Sequence, residues 1–134
     1  MGDLVTKIYR NLVLSVLVAL NISAYGQSEP ITLIQKVVDK IESNTTLTVK
    51  EVDATEVYNR AFDGGGIIKI FTDQKVLVKI EEEIGLSFGR LTTIIYFENG
   101  EPIKIIDREE NYKWREDQSG WDYTELNQVF QADI

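Results

Sequence analysis

The chain contains no cysteine and no histidine, and only one methionine and two prolines in 134 residues. Without Cys there is no disulfide, no thiolate metal site and no cysteine nucleophile. Without His, the Ser-His-Asp arrangement and imidazole-held zinc are excluded, and so is the side chain that titrates nearest neutrality. Acid–base chemistry would fall to a carboxylate, Lys or Tyr with a strongly shifted pKa. Cations are also scarce. The 14 Lys and Arg stand against 22 Asp and Glu, a formal charge of −8. That balance offers no basic face to nucleic acid and disfavours anionic membrane surfaces. What is present, 43% hydrophobic and 27% charged residues, is the composition of one ordinary globular domain.

Residues 1–26 read as an address. Lys7 and Arg10 form a basic start, and residues 12–20 are apolar except for Ser15. Ala24 and Gly26 put small residues at the −3 and −1 positions before Gln27. This is the three-part layout of a secretory signal peptide. The apolar run is too short for a bilayer, which takes ~20 residues. No Cys follows it, so lipid attachment there is excluded. The expectation is a signal peptide over 1–26 and a single domain over 27–134. That domain would be exported to the periplasm or beyond, with no membrane insertion after cleavage.

Within 28–44, Ile31, Ile34, Val38 and Ile41 recur at helical spacing, flanked by Leu33 and Val37. This predicts an amphipathic helix over 31–42, with Thr32 and Gln35 spaced for a capping box. The rest reads as antiparallel strands over 47–52, 67–72, 75–84, 91–98 and 103–107, with a turn at 72–75 and a connection over 85–89. Residues 53–63 carry no clear period. Asn99-Gly100 predicts a type I′ hairpin turn, and Pro102, lacking an N–H, belongs at a strand start or edge. Residues 71–77 align faintly with 97–103, as two successive hairpins would. Residues 112–122 read as a long loop, and 129–134 as the start of a final edge strand. The fold class is therefore α+β: one N-terminal amphipathic helix packed on a curved antiparallel β-meander of five or six strands.

Three groups invite a functional reading. Asp63-Gly64-Gly65-Gly66 precedes a strand rather than the helix a phosphate loop requires, and lacks the Lys-Ser/Thr pair, so it reads as a turn. Glu81, Glu83, Asp107 and Glu109 could pair as carboxylates or bind calcium, since neighbouring strands supply spacings of ~5–10 Å. Strand alternation separates Glu82 from Glu81 and Glu83, and no EF-hand pattern is present. Solvated strand ends beside Lys79, Lys104 and Arg108 are the plainer account. Tyr112, Trp114, Trp121 and Tyr123 could form a sugar- or peptide-binding platform or a lid over one end of the core; the large apolar area they could bury favours the lid. Tyr96 and Phe97 are adjacent on a strand, so one faces each side of the sheet.

Several of these stretches also carry a resemblance. Asp63-Gly64-Gly65-Gly66, the run from Lys79 to Ser87 with Gly89, and the run from Thr92 to Gly100 resemble a group of small exported proteins of Bacteroidetes-type bacteria, of unknown function. In that group a tyrosine-phenylalanine pair, an acid and Asn-Gly lead into a basic residue and an apolar strand; here Glu101-Pro102 departs from the pattern. The resemblance implies export and a β-meander. It implies no activity, cofactor or catalytic residue.

The expected role is thus a non-catalytic exported binding or protein-interaction module, for a protein or small ligand, with no cofactor. It would act through an exposed sheet face or the aromatic-acidic stretch. The alternatives are a small carboxylate hydrolase or calcium-binding protein using the acidic strand ends, and a structural subunit self-associating through its final edge strand.

Overall fold

A computed structural model describes residues 28–134; the signal peptide expected over 1–26 lies outside them. Helix α1 (Ser28–Ser43) leads to strand β1 (Thr48–Asp53), a single helical turn α2 (Ala54–Tyr58), and strands β2 (Gly66–Asp73), β3 (Val76–Leu86), β4 (Gly89–Glu98), β5 (Glu101–Trp114) and β6 (Trp121–Asp133). The strands form one open antiparallel sheet in the order β1-β2-β3-β4-β5-β6, every neighbour in space being a neighbour in sequence. The fold is α+β, with its helix on the N-terminal side of a six-stranded meander. No helix among the described residues is long and apolar enough to cross a membrane.

The apolar residues are distributed over both faces of the sheet. On the first face, Val38 and Ile41 of α1 bury against Tyr96, with Ile34, Val37, Val78, Ile94, Ile103 and Ile106 around them. Ile31 and Leu33, expected in the same stripe, are exposed, and α1 begins a turn earlier than its apolar spacing implies. Thr32 consequently sits inside the helix and caps nothing; Gln35 bonds Asp39 and Lys104 instead. On the second face, Ile68, Ile70, Ile80, Ile84, Ile95, Phe97 and Ile105 bury beneath Ala54 and Val57 of α2.

The stretch without a period, 53–63, contains α2. Asp53 caps it by accepting from Thr55 N at 2.7 Å, and Asn59 ends it in the left-handed conformation at φ 50°. The chain then passes through Gly64, whose amide donates to the Gly85 carbonyl at 3.1 Å. A Cβ on Gly64 would stand 2.7 Å from Gly85 Cα, so both glycines are required by close backbone approach. The DGGG stretch is a turn pinned to β3, and strand β2 follows it. The expected connection over 85–89 is instead strand on both sides of a tight Ser87-Phe88 turn, since β3 runs to Leu86 and β4 starts at Gly89.

The two hairpins β2–β3 and β4–β5 are built alike. Each turns on two left-handed residues, Gln74-Lys75 and Asn99-Gly100, the backbone of a type I′ turn. Each carries one bulge, where Phe71 and Thr72 face Lys79 and Leu77, and Tyr96 and Phe97 face Lys104 and Pro102. The residues left over, Val78 and Ile103, both pack under α1. Position 71 therefore corresponds to 96, and 78 to 103, so the alignment of Phe71 with Phe97 is one residue out. Lys79 and Lys104 occupy equivalent places and reach α1 two turns apart, at Glu42 (3.0 Å) and Gln35 (3.4 Å). Despite the departure at Glu101-Pro102, both residues pair with β4.

Candidate functional site

Register places the acids. Cross-strand partners share a face, so Lys69, Glu81 and Ile94 stand in one row, and Glu83, Thr92 and Arg108 in the next, both on the α1 face. Glu82, Thr93, Asp107 and Ala132 form a row on the second face, followed by Ile84, Leu91, Glu109 and Phe130. The four acids singled out from the sequence thus do not converge: Glu81 and Glu83 look one way, Asp107 and Glu109 the other. Among the described residues no three acid side chains are grouped to hold a metal ion.

The α1-face acids are neutralised locally. Lys79, buried and 4.2 Å from the centroid of the Phe71 ring, pairs with Glu42 at 3.0 Å and Glu81 at 3.6 Å. Arg90 bridges Glu83 at 3.4 Å and Glu110 at 2.7 Å. Lys104 pairs with Asp133 at 3.4 Å. Tyr96 donates its hydroxyl to Glu42 at 2.9 Å.

The second face differs. Tyr58, projecting from α2, donates its hydroxyl to Glu82 at 2.5 Å. Thr93, beside Glu82 in the row, donates to Asp107 at 2.7 Å. Burial pushes the Glu82 carboxyl above the ordinary range; the Tyr58 hydrogen bond opposes that shift and the Asp107 charge adds to it. Burial, with the Glu82 carboxylate beside it, likewise raises the Tyr58 phenol. Among the described residues, no Lys or Arg forms an ion pair with Glu82, Asp107 or Glu109. A shallow groove of about 290 Å³ opens over Leu91, Thr92, Thr93, Asp107, Arg108, Glu109 and Phe130, in which Leu91 is 38% and Phe130 53% exposed. Sequence reasoning set Glu82 apart from its neighbours but missed it as a site residue; the alternation that separated it also places it with Asp107.

The aromatic group lies elsewhere. The expected loop over 112–122 is strand at both ends, so β5 and β6 run on as a two-stranded arm. Its tip is closed by Arg115 N donating to the Gly120 carbonyl at 2.9 Å. Tyr112 and Tyr123 pack edge to face with centroids 5.0 Å apart, and Trp114 and Trp121 do the same at 4.6 Å. Trp114 is 48% and Tyr123 63% exposed. None of the four belongs to either buried cluster. They cap no core, and the lid reading does not hold. Each ring has a cross-strand aromatic partner, which fixes its orientation.

No family model, curated protein or solved structure matches the chain. Geometry alone therefore carries the functional reading.

Proposed function

We propose that the protein is an exported, non-catalytic binding module whose β5–β6 arm presents Tyr112, Trp114, Trp121 and Tyr123 to a protein or small-ligand partner. One observation carries the reading: large aromatic surface held in two edge-to-face pairs, on an arm that buries no core. Amphipathic aromatics with few rotatable bonds lose little entropy on binding, which is why Tyr and Trp dominate recognition hot spots. Export rests on the basic, apolar and small-residue sequence of 1–26.

Trp114 and Trp121 are the only two tryptophans in the chain, so its intrinsic fluorescence reports the arm. Titration with oligosaccharides and with peptides should find a class that shifts this emission to the blue. The double variant Trp114→Ala/Trp121→Ala should lose the interaction, followed by calorimetry, while its thermal midpoint falls by no more than several degrees, as for ~1 kcal/mol in a domain of this size. An unfolded double variant would make these residues core and end the proposal. Export is tested separately by the intact mass of protein recovered after secretion from a bacterial host. A mass matching residues 27–134 is expected, and retention of 1–26 overturns it.

A further inference from the structure

The open half of the second sheet face is a surface distinct from the aromatic arm. We infer that it docks an extended basic peptide segment, with two cationic side chains two residues apart and an apolar residue beside them. Three features of the groove specify this occupant. First, Asp107 and Glu109 are on one strand and one face, two residues apart, and the ion pairs among the described residues involve neither; Arg108 between them belongs by register to the opposite face, where it bonds Gln131. On the opposite face Glu81, Glu83, Glu110 and Asp133 each meet a cation. Second, side chains of an extended segment at positions i and i+2 have the repeat of the strand beneath them, so a segment running along β5 sets one cation over each acid. Third, Leu91 and Phe130 flank Glu109 in a single cross-strand row, and both are exposed enough to gain from apolar cover. A purely ionic ligand would leave that row bare, and a purely apolar one would strand the carboxylates.

The groove's far wall is set by the fold. Thr93 lines it and orients Asp107 by donating to Oδ1, and Glu82, the register partner of Thr93, is held by Tyr58. Contact here is through the face of the sheet, not its edge. The β6 edge is itself irregular, with register shifts at Glu109/Glu110 and Tyr112/Lys113, a shape that discourages strand addition.

The test uses the full chain and a fluorescein-labelled Leu-Ser-Arg-Ser-Arg-Ser-Leu peptide, whose Leu and Arg side chains share one face when extended, read by anisotropy at low salt and at about 0.15 M. Saturable binding is expected, weakening as salt rises. Asp107→Asn/Glu109→Gln keeps the acceptor for Thr93 and should weaken binding at least about tenfold. Phe130→Ala should also weaken it, and Trp114→Ala/Trp121→Ala should leave it unchanged, which separates this inference from the arm. Glu81→Gln/Glu83→Gln, the same charge change on the opposite face, should leave affinity within about twofold. An equal loss in that control would mean bulk charge attraction and overturn the docking site. So would full competition by spermine at the peptide's own affinity, equal binding of a Leu-Ser-Glu-Ser-Glu-Ser-Leu peptide, absence of saturation, or a Phe130-dependent dimer in sedimentation.

Discussion

The two faces of this sheet carry acids in rows set by the same registers, yet the rows treat charge oppositely. Under and beside α1, Glu81, Glu83, Glu110 and Asp133 each meet a Lys or Arg within 3.6 Å. Across the sheet, Glu82 is satisfied by a neutral phenol and Asp107 by a neutral hydroxyl, while Glu109 has no ion-pair partner among the described residues. A carboxylate that is hydrogen-bonded by neutral groups keeps its charge uncancelled. On one face these carboxylates are paired with cations, and on the other uncancelled charge borders a groove with apolar flanks.

The sharpest break of this contrast lies at two adjacent residues. Phe97 is buried in the dry cluster beneath α2, so Phe97→Ala should cost about 3–5 kcal/mol in urea denaturation. Gly85→Ala forces a methyl into the Gly64 backbone and should cost about 1–3 kcal/mol by the same measurement, because the turn that carries the chain from α2 into β2 must shift. Tyr96→Phe removes a hydroxyl from Glu42, which keeps Lys79, and should cost only about 1 kcal/mol. A cost for Tyr96→Phe equal to that of Phe97→Ala would erase the distinction between a polar-tied face and a dry one.

The smallest effect is in pH dependence. The folded chain holds the Glu82 proton more tightly than the unfolded chain, chiefly through burial. Between the ordinary glutamate range and the raised value it therefore binds more protons than the unfolded chain, and stability falls as pH rises through that interval. Glu82→Gln keeps an acceptor for Tyr58 and removes this contribution. Its melting temperature should lose less than the parent's between mildly acidic and neutral pH, and an identical loss in both would show that Glu82 ionises freely in the fold.

Much of this architecture is legible in the residues themselves. Asn99-Gly100 carries the turn type it specifies, the β-branched runs become the central strands, and the Ile34–Val38–Ile41 spacing finds the face that α1 buries. Other parts are not legible, for identifiable reasons. Helix α2 is five residues long, less than two turns, so no period can emerge; its signals are the Asp53 cap and the Asn59 terminus. The outer halves of β5 and β6 run past the core with neither face buried, which leaves them without apolar alternation and makes them read as loop. The grouping of Glu82 with Asp107 depends on cross-strand register, a long-range property. Alternation divided 81 and 83 from 82, but which acids of β5 joined either set was decided by pairing through β4.

The twin-bulge hairpins have a consequence for assembly. Every strand pair joins consecutive segments, so the sheet can grow by successive local closures, the class of topology that forms without long loop searches. Helix α1 is the exception. It is the first described element of the chain, yet its seat is built from Val78, Tyr96 and Ile103, supplied by β3, β4 and β5. A chain emerging from its N-terminus must hold α1 undocked until the second hairpin has closed, and the helix becomes the latch that records completion of the sheet beneath it.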